Sequence, residues 1–117
     1  MVYKIDKSKI HGDGLLATSS IPNNTDVGLT HMSIGTVNGK LIIGDITELG
    51  RFSNHSVEPN CEYRVIKKNI YLFTIRDIDV GEELVVDYNR NKEISVNLEL
   101  DVDSYTKKVV YYSTRLR

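Results

Sequence analysis

The chain has no tryptophan, one cysteine, two prolines and no surplus of charge of either sign. Each scarcity excludes something. The single thiol, Cys61, cannot form an internal disulfide or supply a zinc site built from several cysteines, and it suits a reducing compartment. Proline at Pro22 and Pro59 alone leaves no Pro-rich linker to split the chain. With 15 Lys and Arg against 16 Asp and Glu, the net charge is −1, without the basic excess of a general nucleic-acid binder. No apolar run approaches the roughly 20 residues of a membrane span. Met1–Asp6 lacks the apolar core of a signal peptide and reads as the start of a mature protein. An intracellular setting, with no direct nucleic-acid or membrane partner, is the expectation.

What remains is a chain of 117 residues, 40% hydrophobic and 26% charged, the size and balance of one globular domain with one core. Its apolar residues recur mostly with period two, between turn signals. Val2–Ile5 and Leu15–Ala17 read as early strands, and Ile21–Asn24 as a turn. Thr36-Val37 and Leu41–Ile43 flank Asn38-Gly39, a strong hairpin signal. Asn69–Ile75, β-branched and aromatic, reads as a central strand, and Leu84–Val86 as another after the turn Asp79–Glu82. Ile94 to Leu100 alternates like a half-buried strand, with a turn at Asp101–Ser104 and a returning partner at Val109–Tyr112. No stretch holds a helical period of useful length. The fold class is mainly β, with many short strands.

Three segments carry candidate chemistry. His11-Gly12-Asp13-Gly14 places two glycines where the backbone can approach a ligand. It lacks the third glycine and following helix of a dinucleotide site. Arg51 to Cys61 packs Ser53, Asn54, His55, Ser56 and Asn60 around Phe52 and Pro59. It reads as an ordered loop, since Asn and Ser side chains bond their own backbone. Gly81 to Tyr88 is a turn and strand ending in Asp87-Tyr88, whose adjacent Glu82 and Glu83 point to opposite faces and make no paired acid and base. The histidines and Cys61 have no zinc-like spacing, so no metal is expected, and Cys61 reads as a buried structural thiol.

Taken in order, these segments resemble the motifs of SET-domain protein lysine methyltransferases. Lys9 to Ala17 is similar to the family's N-terminal Gly-x-Gly motif, Asn54 to Asn60 to its Asn-His-Ser-x-x-Pro-Asn motif, and Glu83 to Tyr88 to its Glu-Leu-x-x-Asp-Tyr motif. The resemblance implies a SET fold (β-clip) of several small curled sheets with a C-terminal pseudoknot. It implies a core over residues 1–88 and a tail over 89–117 packed on it. It further implies S-adenosylmethionine as cofactor, held by His11, Gly12, Asp13, Gly14, Asn54 and His55, with Tyr88 as the catalytic tyrosine. Arg51 and Asn60 would lock the loop. The partner would be a protein substrate bearing a target lysine, of basic, histone-like or ribosome-associated type. The acidic residues Asp77, Asp79, Glu82, Glu83 and Asp87 suit such a partner, although an ordinary solvated surface explains them as well.

The departures are also informative. Many members close the lysine channel with a zinc-binding segment of three cysteines, joined by a fourth where this chain has Val57; here residues 89 to 117 contain no cysteine. The tail, with Tyr105, Tyr111 and Tyr112, is the candidate replacement. No tyrosine lies between Tyr3 and Tyr63, where the family's middle motif supplies one. His31 stands near that place, as a channel residue or a plain surface histidine. The short stretch Gly28 to Gly50 resembles minimal members from viruses, which implies a viral or phage source, a host cytoplasmic or nuclear location, and the option of a homodimer. The competing reading is a catalytically weak SET-like protein-interaction module.

Overall fold

The computed structural model describes residues 1–37, 40–88, 99–102 and 109–112, the last two stretches as backbone. The chain forms β1 (Tyr3–Lys7), β2 (Asp13–Ala17), β3 (Asp26–Val37), β4 (Lys40–Ile46), α1 (Glu48–Arg51), β5 (Asn54–His55), β6 (Cys61–Ile66), β7 (Asn69–Thr74), β8 (Glu83–Val86), β9 (Glu99–Val102) and β10 (Val109–Tyr112). The mainly β expectation holds.

Period-two patterning sets the faces. On β7, Ile70, Leu72 and Thr74 turn inward while Asn69, Tyr71 and Phe73 are half-buried. Cys61 and Tyr63 of β6 do the same. Ile70, Leu72, Cys61 and Tyr63 join Leu15 of β2 and Leu84 and Val86 of β8 in one core. β7 is central, bonded on one side to β6 and on the other to β3. β3 and β4 form the expected hairpin, with Val37 opposite Lys40; Asn38 and Gly39 lie outside the described residues. β3 slips register against both neighbours, at Asp26/Gly28 and Leu29/His31 on one side and at Met32/Ser33 and Ser33/Gly35 on the other. Such irregularities bend a strand, and here they curl the sheet.

The strand order is β1-β2-β8-β6-β7-β3-β4-β10-β9, with β5 beside β8. A late strand, β8, therefore sits between an early one and the middle of the chain, the knot-like arrangement that the resemblance implies. Hydrogen bonds from Asn60 fasten the inserted strand. The Asn60 carboxamide, buried, donates to the Glu83 carbonyl at 2.7 Å and accepts from the Val85 amide at 2.8 Å, while its backbone N–H donates to the Val85 carbonyl at 3.2 Å, so one residue holds three backbone groups of β8. The expectation that Asn60 locks the loop is met. Arg51 is exposed at the end of α1, with no side-chain hydrogen bond among the described residues.

Three details correct the sequence reading. The Arg51–Cys61 stretch is not wholly loop: Asn54-His55 pairs in parallel with Val85-Val86 as β5. Asp101 and Val102, expected to open a turn, pair with β10 instead; residues 94–98 and 103–108 lie outside the described residues. A single helical turn, α1, appears where none was expected. Thr47 caps it, accepting from the Gly50 amide at 3.3 Å and donating to the Leu29 carbonyl at 2.6 Å, with Glu48 at the start and Arg51 at the end. One turn has too little periodicity to show in sequence.

Gly50 allows α1 to lie directly on β3. A Cβ there would stand 2.5 Å from the Thr30 carbonyl oxygen and 2.8 Å from Ile46 Cγ2. Gly50→Ala is therefore expected to cost about 1–3 kcal/mol, the usual penalty of overpacking, read as a lowered midpoint in urea unfolding.

Candidate active site

The site is built where β2, β5 and β8 meet. The Asn54 side chain donates through Nδ2 to the carbonyls of His11 (3.0 Å) and Asp13 (3.3 Å) and to Glu83 Oε2 (3.0 Å). All three partners are acceptors only, which fixes the amide orientation and turns Oδ1 away from them. Glu83 also accepts from the Ser8 hydroxyl at 2.7 Å, and Ser8 holds the turn by accepting from the Ile10 and His11 amides. The Ser8 amide donates to the Gly12 carbonyl at 2.8 Å. A Cβ on Gly14 would fall 2.6 Å from Glu83 Oε2, so glycine is what admits this carboxylate beside β2. The first and third motifs are thus joined through Asn54 of the second.

Tyr88 lies two residues beyond β8. Its backbone N–H donates to His55 Nδ1 at 3.1 Å, and the two rings lie 5.0 Å apart at 34°. That bond uses the lone pair of Nδ1. Asp87 Oδ1 is 3.8 Å from the same nitrogen, beyond hydrogen-bond reach. The Tyr88 hydroxyl donates to the Ser53 carbonyl at 2.6 Å, and the side chain stays 39% exposed.

Ser53, Tyr63 and His31 continue inward from there, each only 2% exposed. Ser53 Oγ donates to the Gly50 carbonyl at 3.0 Å and is hydrogen-bonded to the Tyr63 hydroxyl. The His31 ring stands edge-on to Tyr63, with centroids 5.3 Å apart at 89°. Thr30 Oγ1 donates its one proton to the Ile70 carbonyl at 2.9 Å, so at 2.7 Å it must accept from His31 Nδ1. His31 is therefore no surface histidine. Burial pushes its pKa down to about 4 and keeps it neutral. The unfolded chain takes up this proton below about pH 6.5 while the folded one does not until near pH 4. Stability is thus unaffected above pH 6.5 and falls as pH drops through that window. Between pH 6.5 and 5 the expected loss is about 2 kcal/mol, measured by urea unfolding; His31→Gln should flatten the profile.

Tyr63 and Ser53 were not singled out from the sequence. The alternation of Cys61 and Tyr63 on β6 signals a buried face, but nothing local marks the hydroxyl as part of a site. Ser53 has no signal beyond its place before Asn54. Cys61 is buried as expected, and burial pushes its thiol up to about 12, against a smaller opposing effect of Arg76, so it is an inert thiol. Much of the acidic cluster is engaged internally. Arg76 pairs with Glu82 at 2.8 Å, and this bond, with the Asp79 amide, holds the Glu82 carboxyl below the usual range. Asp77 accepts from the Asn23 amide at 2.8 Å. Of the tail tyrosines, Tyr111 and Tyr112 lie on β10, opposite Ile43 and Ile42 of β4; Tyr105 lies outside the described residues. Among the described residues, no group of three or more His, Cys, Asp or Glu is placed to hold a metal ion.

Comparison with known proteins agrees with this geometry. The SET domain family model matches residues 30–89. The histone-lysine N-methyltransferase ASHH2 of Arabidopsis thaliana is 40% identical over 68 residues, which cover 53% of this chain and 4% of ASHH2. A histone-lysine N-methyltransferase of Chaetomium globosum, H3 lysine-4 specific, is 29% identical over 121 residues, covering 78% of this chain and 11% of the relative. The chain thus spans a small part of the length of these relatives. In fold, it is similar to a solved Plasmodium falciparum chain assigned as a histone methyltransferase, with a TM-score of 0.53 at 20% identity, over 74% of this chain and 91% of that one. The chain belongs to the SET-domain family.

Proposed function

We propose that this chain transfers a methyl group from S-adenosylmethionine to a lysine side chain of a basic protein. The observation that carries the reading is Tyr88, anchored by its backbone to His55 and by its hydroxyl to Ser53, beside the Asn54-centred junction of the other two motifs. Histone-lysine N-methyltransferases among the relatives support the reaction and the substrate class.

The donor set fits the cofactor. An amino-acid ammonium needs acceptors, and the His11 and Asp13 carbonyls and the Glu83 carboxylate are acceptors clustered around the Asn54 side chain. His11, Gly12, Asp13, Gly14, Asn54 and His55 would hold the cofactor, which supplies an electrophilic methyl on a sulfonium. The rest is the chain's own work. A lysine amine titrates at about 10.4 in water, and apolar surroundings with a nearby positive charge favour its neutral form. The Tyr88 proton is committed to Ser53, so its oxygen meets the amine as an acceptor and orients the nitrogen lone pair. Holding nucleophile and methyl in line accounts for about 7–11 kcal/mol of the barrier in favourable cases.

The short segment between β3 and β5, a hairpin and one helical turn, supports the finer reading as a minimal member of viral type. The backbone pairing of β10 with β4 supports a tail that belongs with the core and substitutes for a zinc-binding closure. The test is calorimetric titration with S-adenosylmethionine, followed by transfer of radiolabelled methyl into histones and ribosomal proteins. Binding and lysine labelling are expected. No cofactor binding would overturn the proposal, and binding without turnover would favour the interaction-module reading.

A further inference from the structure

We infer that Ser53 is a positioning residue that holds the hydroxyls of Tyr63 and Tyr88 on one rigid point; this rests on the methyltransferase reading. Proton counting gives the direction of each bond. Ser53 Oγ has one proton, and the Gly50 carbonyl at 3.0 Å can only accept it. The bond between Ser53 Oγ and the Tyr63 hydroxyl is therefore donated by tyrosine. Tyr88 donates to the carbonyl of the same residue. Two phenol protons, from β6 and from the segment beyond β8, end on two oxygens of a single residue that is 2% exposed. Each phenol oxygen thereby turns acceptor lone pairs, not its proton, toward other donors.

Ser53 is itself fixed from both sides. The Gly50 carbonyl that takes its proton belongs to α1, and Gly50 lies so close to the Thr30 carbonyl that a Cβ would not fit. Asn54, next in the chain, is held to the His11–Asp13 turn and to Glu83. The spacing between the two tyrosine oxygens is thus set by one residue held rigidly against β3 and against the cofactor-side turn. A hydrogen-bond acceptor at residue 53 has this consequence only if it acts through the tyrosines. That separates a positioning role from simple packing, because alanine fills nearly the same space without the acceptor.

The test uses the full chain with 13Cζ-labelled tyrosine, resonances assigned by Tyr63→Phe and Tyr88→Phe, alongside steady-state kinetics on a labelled protein substrate. In Ser53→Ala the Tyr63 resonance is expected to shift, because its acceptor is gone. The Tyr88 resonance should stay, because its acceptor is backbone. Loss of one net hydrogen bond in the site should lower kcat about tenfold, with cofactor affinity unchanged. Ser53→Thr should restore both the resonance and the rate. Ser53→Ala combined with Tyr63→Phe should be no slower than either alone. An unmoved Tyr63 resonance in folded Ser53→Ala, or fully additive losses in the double variant, would overturn the inference. If Ser53→Ala does not fold, Ser53→Cys, of similar volume with a poor acceptor, takes its place with the same expectations. If the wild type transfers no methyl, the functional reading fails, while the resonance shifts still decide whether Ser53 holds the tyrosines.

Discussion

Tyr88→Phe is expected to lower kcat for methyl transfer about a hundredfold, with little change in cofactor affinity. The substitution removes one oxygen and keeps the ring. The ring's contact with His55 and the backbone bond to His55 Nδ1 do not depend on that oxygen, so the segment beyond β8 keeps its path. The bond to the Ser53 carbonyl is lost, and with it the oxygen that the proposed function assigns to orienting the amine. In-line displacement is sensitive to this, since displacement of a reacting group by about 1 Å costs on the order of a hundredfold in rate. The cofactor side is separate, because Asn54, Glu83 and the His11–Asp13 carbonyls do not touch the phenol oxygen. The measurement is single-turnover transfer of labelled methyl, with cofactor affinity by calorimetry on the same samples. Wild-type rates in the variant would remove Tyr88 from the chemistry. A parallel loss of cofactor affinity would mean that the ring, not the hydroxyl, is what matters.

Asn60→Ala carries the largest expected effect on stability. Its carboxamide is the bridge to β8, donating to Glu83 and accepting from Val85 in a site that is 2% exposed. Truncation leaves a buried carbonyl and a buried N–H without these partners, at about 1–3 kcal/mol each, and opens a small void. A total of about 3–5 kcal/mol is expected, a large share of the 5–15 kcal/mol that holds a typical domain. With a urea m-value of roughly 1–3 kcal/mol/M, the midpoint should fall by about 2 M. Asn60→Asp should not rescue it, because a carboxylate would face the Glu83 carbonyl without a proton to offer. Asn23, exposed on the turn before β3, is the control: Asn23→Ala should shift the midpoint little. A midpoint unchanged in Asn60→Ala would mean that β8 is held in place by its strand partners alone.

These two residues could both be read in advance. Tyr88 and Asn60 both lie in motifs with ordered polar residues, and the roles the resemblance implies for them are local to those motifs. The hairpin around Asn38-Gly39 and the buried face of β7 were legible for the same reason: turn chemistry and period-two burial act between neighbours in sequence. His31 was not legible. Whether a histidine on a strand faces water or core depends on the bulges in β3 and on Tyr63, which is 32 residues away. The single turn of α1 was hidden because four residues hold almost no period.

By itself, then, the sequence determined a mainly β fold class with three motifs in SET order, and the resemblance implied roles for Asn54, His55 and Tyr88. It could do so because strand patterning, turn residues and motif spacing are short-range properties. Only the tertiary structure decided that Ser53 receives two tyrosines, that Glu83 turns inward to Asn54 and Ser8, and that much of the acidic cluster is bonded within the chain. Those contacts join residues 6 to 75 positions apart. Most of them exist because β8 is drawn between β2 and β6, where buried donors and acceptors had to find partners that no local pattern could supply.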